Sequence, residues 1–563
     1  VEKFERLNTP NTSNPSSRAR RALAIGALAS LILTAPLGCT KRGDSARSAS
    51  VGNTFLFNLQ VEPESLNPIT GSDLYGTTVR SYIMESLMER NIDTYEWQPA
   101  LAEKFEVNKD GTVFTFTLRE GVTWSDGQPF TAEDVKFSFD AIFDDKYSAA
   151  QLRPYYEGIE KVEIVDPRTV RFTTKNKYFR NFDTAAGMTI VPKHIYGDAE
   201  KGSKLNKTVT GTGAYMIEKY DQGQALILVK NPKWWGWGQE VTKGQNNFER
   251  IRMRFTRDQD TALEQLKKGD LDYIDMNPEA FERKATGPEW GQSVFKVQYE
   301  NLEPKSYGYI GMNLKRPLFK DRDVRLALAH LTNRREMIEK FRFGKSLPAT
   351  GPWYQQSEYA AKDVAPIEFD PAKAAELLRK KGWADSDKDG VLDKVIDGKK
   401  TPFRFTLFYA NKDNEKYWIL FQSDLKRAGI QLELQQLEWN ALIKKVDEKD
   451  FDTIAMGWGG GAVDLDPKQI WHSSSSAKGG SNYISYNNPE VDRAIDKARG
   501  ELDKKKRIPL LQDVYRKIAA DVPYIFLFND KFGFYGHTAR IQMEKPARTY
   551  AIGTSYWSIK AEK

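Results

Sequence analysis

Residues 248–276 read FERIRMRFTRDQDTALEQLKKGDLDYIDM, a strand, then a helix, then a strand. Ala262, Leu263 and Leu266 fall at helical spacing and should face a sheet, and Gly269-Asp270 ends the helix. This is an α/β unit. Working outward toward the start, GTGAYMIEKYDQGQALILVKNPKWW from Gly211 predicts a hairpin, with Gly211 and Gly213 where backbone must turn or pass closely. Residues 159–174 (IEKVEIVDPRTVRFTT) predict another hairpin, and Lys104–Val107 with Val113–Leu118, joined through Asn108-Lys109-Asp110-Gly111, a third. Thr131, with Asp134 three residues on, predicts the N-cap of a helix carrying Val135, Phe139 and Ile142. Order begins with a strand at Thr54, followed by a proline-fixed turn and a helix over Thr77–Arg90.

Working outward toward the end, the rhythm restarts. YGYIGMNL is a strand, FKDRDVRLALAHLTNRREMIEKF one or two helices, and FDPAKAAELLRKKG a helix stopped by Gly382. TPFRFTLFYA, IQLELQQL and DTIAMGW are strands separated by helices at NEKYWILFQSDLKRAG and 440–446. Repeated strand–helix–strand succession predicts a second α/β lobe, and VPYIFLFNDKFGFYG predicts strands that return to close the body.

Ahead of the folded body, Arg18, Arg20 and Arg21 precede the mostly apolar residues 22–38, and the single cysteine, Cys39, follows. That arrangement predicts a signal peptide over 1–38 and a lipid-modified Cys39 on a polar tether, residues 39–50. Pro36 stands where the bacterial lipoprotein pattern prefers leucine. One cysteine makes no disulfide framework, and four histidines leave little with which to build a zinc or copper site. The net charge of +7 is spread over 84 basic and 77 acidic residues, which argues against nucleic-acid binding. At 563 residues the chain exceeds what one hydrophobic core supports, so two or more lobes are expected.

Two stretches carry candidate sites. In Asp385-Ser-Asp387-Lys-Asp389-Gly390-Val391-Leu-Asp393, Asp385, Asp387, Asp389, Asp393 and the Val391 carbonyl match the opening of a calcium loop. Ile396 stands where that loop needs its closing glutamate, so the alternatives are a structural calcium and a solvated Asx-rich turn. In MGWGGGAVDLDPKQIWHSSSS, residues 456–476, Trp458 offers an aromatic face, and Gly459 and Gly460 let backbone approach a ligand. Asp464 or Asp466 could receive a ligand ammonium, the alternative being that they cap the next helix. Trp234, Trp235 and Trp237 read as an aromatic knot, with sugar stacking as the alternative. No nucleophile elbow, HExxH or P-loop is present, so the chain is not expected to be an enzyme.

The segments EPESLNP (62–68), LAEKFEVNKDGTVFTFTLREGVTWSDGQPFTAEDVKFSF (101–139), GTGAYMIEKYDQGQALILVKNPKWW (211–235), NLKRPLFKDRDVRLALAHLTNRREMI (313–338) and GWGGGAVDLDP then fall in one order. In that order they resemble the solute-binding proteins of peptide-type ABC importers, the dipeptide and oligopeptide-binding group. The resemblance implies a large, type II-like, two-lobed periplasmic-binding-protein fold of α/β class, with an additional domain inserted in the first lobe. By that analogy residues 51–85, 206–302 and 526–563 form the first main lobe, 86–205 the inserted domain and 303–525 the second main lobe. It also implies a monomeric periplasmic receptor, lipid-anchored to the cell membrane, that passes short peptides to an ABC importer permease. In peptide-binding relatives an aspartate after the Gly-Trp strand end receives the peptide amine, and the matching residue is Asp464, supported by Trp458. The Asp464-Leu465-Asp466-Pro467 segment departs from the usual pattern, which leaves an oligosaccharide, an opine or a metal complex as alternative ligands. An envelope hydrolase or a peptide-holding chaperone is the more distant alternative.

Overall fold

The strand–helix–strand of residues 248–276 forms as its pattern predicts, but its two strands are not neighbours. A computed structural model describes residues 52–71, 73–147, 149, 152–477 and 480–560. The expected signal peptide, Cys39 and the tether lie outside the described residues. Strand Thr54–Asn58 inserts between Arg250–Arg254 and Tyr273–Asp275, parallel to both. Helix Gln259–Lys267 therefore crosses over a strand from the start of the body. Its Ala262, Leu263 and Leu266 are buried against Ile274, Val294 and Phe534, and Gly269 ends it at φ +71°.

The first sheet has seven strands in the order Val294–Tyr299, Gly533–Thr538, Tyr273–Asp275, Thr54–Asn58, Arg250–Arg254, Ala225–Lys230 and Tyr215–Asp221. Asp272 ties three of these chain segments together from a fully buried position. It accepts from the Leu56 amide (2.9 Å) and the Thr538 hydroxyl (2.7 Å), and its carboxylate lies 3.2 Å from the Arg540 guanidinium. Burial raises its pKa, and Arg540 and the two donors oppose that rise.

The second sheet has six strands in the order Ser346–Pro348, Tyr524–Asp530, Tyr307–Met312, Thr453–Trp458, Arg404–Tyr409 and Gln431–Gln436. Helices cover both faces, which is why YIFLF at 524–528 is apolar without alternation. Ile525 and Leu527 face one core with Met337, Leu378 and Phe421. Tyr524 and Phe526 face the other with Val491, Ile495 and Tyr515. The predicted one-or-two-helix stretch is two, Arg322–His330 and Arg334–Arg342, capped by the side chains of Asp321 and Asn333.

Two crossings join the sheets, at residues 300–306 and 531–532. The returning strands thus divide between the sheets: Tyr524–Asp530 completes the second and Gly533–Thr538 the first. A separate antiparallel sheet, Ala102–Val107, Val113–Leu118, Thr169–Thr174 and Ile159–Asp166, is built from chain lying between two strands of the first sheet. The predicted capping box forms beside it: the Thr131 amide donates to Asp134 (2.9 Å) and starts helix Ala132–Phe143. The architecture is the two-lobed α/β fold with an additional inserted subdomain. No helix among the described residues is long and apolar enough to cross a membrane.

One element differs from expectation. The helix predicted over Thr77–Arg90 runs from Leu74 to Ile83, started by the Asp73 carboxylate. It stops because the Gly213 amide takes the Ile83 carbonyl (2.8 Å), which a continuing helix would need for Leu87. Met84 turns extended, and Met88–Arg90 becomes a strand paired with Trp97–Pro99. Gly211 and Gly213 are glycine for a steric reason. A Cβ on Gly211 would lie 1.9 Å from the Ile83 carbonyl oxygen, and one on Gly213 2.7 Å from it.

Candidate functional site

That early helix stop creates the wall of a cavity of about 860 Å³. Its lining comes from the end of the helix and the strand after it (Met84, Glu85, Met88, Glu89, Ile92), from Trp234 and Asn246, and from the Ala551–Ser555 segment. Tyr155 and Tyr156 of the inserted region also line it.

One arginine and two glutamates line this space, Arg80, Glu85 and Glu89. Arg80 is committed to the first lobe, donating to the carbonyls of Ser65 (3.1 Å) and Gly71 (3.1 Å) and to the Thr77 hydroxyl (2.8 Å). Glu85 accepts from the indole N–H groups of Trp234 (2.9 Å) and Trp235 (3.0 Å). Its pKa is raised because burial outweighs those donors and the field of Arg119, whose guanidinium lies 4.1 Å over the Trp235 ring. Glu89 makes no hydrogen bond or ion pair among the described residues. Its side chain is exposed on the cavity wall. Poor solvation first, and the nearby Glu85 second, push its pKa up to about 7.

The tryptophan cluster is the aromatic knot. Trp234 meets Trp237 edge-on at 4.8 Å, and all three indole N–H groups are spent on Glu85 or the Asn231 carbonyl. That leaves these rings to packing rather than to sugar stacking.

The loop at 456–466 is elsewhere, and none of Trp458, Gly459, Gly460, Asp464 and Asp466 lines the cavity. Trp458 is stacked between Tyr309 (6.1 Å) and Tyr483 (5.5 Å), which gives its ring a packing role in the second lobe. Gly459 has open space around it, whereas a Cβ on Gly460 would meet the Pro304 carbonyl oxygen at 2.0 Å. Gly460 is thus pressed against the crossing between the sheets.

Asp464 is buried and already engaged. Tyr359 donates its hydroxyl at 2.5 Å, Arg90 approaches at 3.4 Å and Arg507 at 3.8 Å. Arg90 has a closer partner in Asp183 (2.8 Å), and its guanidinium stacks over Trp97 at 4.1 Å. Asp466 accepts from Tyr178 (2.6 Å), Arg499 (2.9 Å) and the Lys468 amide (3.0 Å). The last contact closes a local turn ahead of helix Lys468–Trp471, whose N-cap is Pro467. Arg90, Tyr178 and Asp183 come from the chain around the inserted sheet, so these contacts fasten that region to the second lobe.

Sequence reasoning missed Glu89, Arg90, Asp183, Tyr359 and Arg507. The one local signal was MESLMER, where Glu85 and Glu89 interrupt an apolar run four residues apart. Arg90 and Asp464 are 374 residues apart, and nothing local links them.

The predicted cation loop comes together in part. Carboxylate oxygens of Asp385, Asp387 and Asp393 lie within 4.8 Å of one another, a cluster able to hold a metal ion. Lys400 already supplies a counter-charge, 2.6 Å from Asp387 and 3.3 Å from Asp393. Asp389 turns away to accept from the Val391 amide (2.8 Å).

Comparison with known proteins agrees with this architecture. The chain is 28% identical over 522 residues to the oligopeptide-binding protein AppA of Bacillus subtilis, covering 90% of this chain and 92% of that protein. It is 29% identical over 528 residues to Protein XP55 of Streptomyces lividans, covering 91% and 89%. The solved structure of AppA in complex with a nonapeptide superposes with a TM-score of 0.72 at 27% identity, covering 90% of this chain and 99% of that one. NikA of Brucella suis, solved in complex with Fe(III)-EDTA, shares the fold at 22% identity, with a TM-score of 0.76 and coverage of 90% and 100%. The model of the bacterial extracellular solute-binding proteins, family 5 (middle region), matches residues 96–481, and the chain belongs to that family.

Proposed function

We propose that this chain is the receptor of an ABC importer and captures short peptides between its lobes for delivery to the permease. The observation that carries this reading is the two-lobed frame joined by two crossings, with a cavity of about 860 Å³ lined by the first sheet's region and the inserted region. Ligand pockets usually span about 300–1,000 Å³, so there is room for several residues. Similarity to AppA, solved with a nonapeptide, supports the ligand class. The function is capture and release, with lobe closure selected by ligand. On this reading the first lobe comprises 51–85, 206–302 and 526–563, the inserted domain 86–205 and the second lobe 303–525, in keeping with the three large sheets. The receptor works as a monomer in the periplasm, held to the membrane by lipid on Cys39.

Asp464 receives the peptide amine by exchange. Arg90 contacts it at 3.4 Å but holds Asp183 at 2.8 Å, so an incoming ammonium can replace the weaker contact while Arg90 keeps the stronger one. Isothermal titration of the ligand-free protein with Ala-Ala-Ala and its N-acetylated form tests both points. Saturable binding of the free peptide is expected, weakened about tenfold by Asp464→Asn, in keeping with loss of one charge-assisted bond. The acetylated peptide should be indifferent to that substitution. Absence of peptide binding would remove the function, and equal loss for both peptides would leave Asp464 as an interlobe fastening alone.

A structural calcium at Asp385, Asp387 and Asp393 belongs to the same reading, supported by the convergence of the three carboxylates. It requires Lys400 to swing out. Calcium at 1 mM should then raise the thermal midpoint by about 1 °C, corresponding to about 1 kcal/mol for a body this large. An unchanged midpoint would leave Lys400 as the resident counter-charge.

A further inference from the structure

We propose that Asp93 is a positioning residue that joins the cavity wall to the crossing between the lobes, so that a ligand seated on that wall steadies the closed arrangement. This role rests on the peptide-receptor reading and assigns the contact through which capture reaches the crossing. Asp93 stands at the tip of the hairpin formed by strands Met88–Arg90 and Trp97–Pro99. Its carboxylate accepts from the Thr549 amide (3.2 Å) and pairs with Arg548 at 2.9 Å and Lys545 at 3.4 Å. The Tyr550 amide donates to the Ile92 carbonyl (2.8 Å), and the Tyr95 and Tyr550 rings lie 5.0 Å apart. The hairpin tip and residues 545–550 are thereby tied together. Both lead directly into the cavity wall, through Ile92 on the hairpin and through Ala551, Gly553, Thr554 and Ser555 on the other segment.

The same segment holds the crossing at residues 300–306. The Thr549 carbonyl accepts from the Leu302 amide (2.7 Å), and the Arg548 carbonyl accepts from the Asn301 carboxamide (3.3 Å). Asn301 is buried and in turn accepts from the Lys305 ammonium (2.7 Å). Thr549 thus gives its amide to Asp93 and its carbonyl to the chain that leads into the second lobe. At the base of the hairpin, Arg90 reaches Asp464 of that lobe at 3.4 Å. Lobes that part must bend the chain at such a crossing, and here the crossing is held by a segment whose position Asp93 sets. With its side chain 32% exposed, Asp93 adds little to folding through its ion pairs. Its loss should therefore show in capture rather than in stability.

Amide hydrogen exchange of the full chain in mild detergent, without and with Ala-Ala-Ala at a concentration that saturates each variant, reads both ends of this contact. In wild type the peptide should slow exchange about tenfold at residues 551–555 and also at residues 300–306. In Asp93→Ala it should still slow 551–555, while the change at 300–306 falls below about twofold. Asp93→Asn, which keeps an acceptor for the Thr549 amide, should lie between the two. Calorimetric affinity should fall about tenfold in Asp93→Ala, because a smaller fraction of the protein is held closed. The thermal midpoint of ligand-free Asp93→Ala should stay within about 1 °C of wild type, which also shows that the variant is folded. Glu218→Gln, which breaks the exposed pair with Arg250 elsewhere in the first lobe, should change none of these readings. Slowing at 300–306 that survives Asp93→Ala, or that is missing from wild type while 551–555 slow, would overturn the proposal and leave the peptide receptor standing. Failure of the peptide to bind wild type would instead remove the receptor reading on which the proposal rests.

Discussion

Asp272→Ala lowers the stability of the first lobe by about 3–5 kcal/mol, the cost of leaving a buried charge without its partner. The carboxylate is fully buried and joins the Leu56 amide, the Thr538 hydroxyl and the Arg540 guanidinium. Its removal takes the carboxylate from the arginine, which keeps the Thr54 carbonyl, and the acceptor from both donors, at the place where three distant segments of chain meet. Asp272→Asn retains an acceptor and the volume and should cost less than half as much. Denaturant unfolding followed by tryptophan fluorescence reads both variants. A loss below about 1 kcal/mol for Asp272→Ala would mean that water replaces the carboxylate. Because burial raises this group's pKa while its partners oppose the rise, both variants are compared with wild type at one fixed pH.

Gly211→Ala is the second large effect, about 3 kcal/mol, at the upper end of what overpacking costs. The new methyl would stand 1.9 Å from the Ile83 carbonyl oxygen and 2.6 Å from its carbon, and neither backbone atom can move as a side chain does. The Ile83 carbonyl is also the group whose bond to Gly213 ends the helix and turns Met84 and Glu85 toward the cavity. The substitution should therefore weaken ligand binding along with stability, whereas Asp272→Ala should spare binding in whatever fraction remains folded. Thermal midpoint and peptide affinity measured together on the two variants separate these outcomes.

The contrast between these sites and the sequence reading is physical. Strand and helix positions follow from patterns within a few residues, so the α/β class, the capping box at Thr131 and Asp134, and the hairpins could be read directly. The N-terminal strand slots between Arg250–Arg254 and Tyr273–Asp275, and no local period records that. The predicted helix over Thr77–Arg90 failed for a similar reason. Its apolar spacing continues past Ile83, but an amide from Gly213 captures the carbonyl that would extend it. The site reading behaved likewise. Aspartates after a glycine-rich strand end suggested a ligand contact at Asp464, while the side chains that engage it, Arg90, Tyr359 and Arg507, lie far along the chain. Trp458 reads as an available aromatic face until Tyr309 and Tyr483 are placed against it.

The measurement that reaches the central claim most directly is native mass spectrometry of the protein purified without denaturation. A peptide receptor should carry a heterogeneous set of adducts at the masses of short peptides. These should vanish after unfolding and refolding and return when a peptide mixture is added. A single non-peptide mass, or a chain that stays bare in the presence of peptides, would contradict the account.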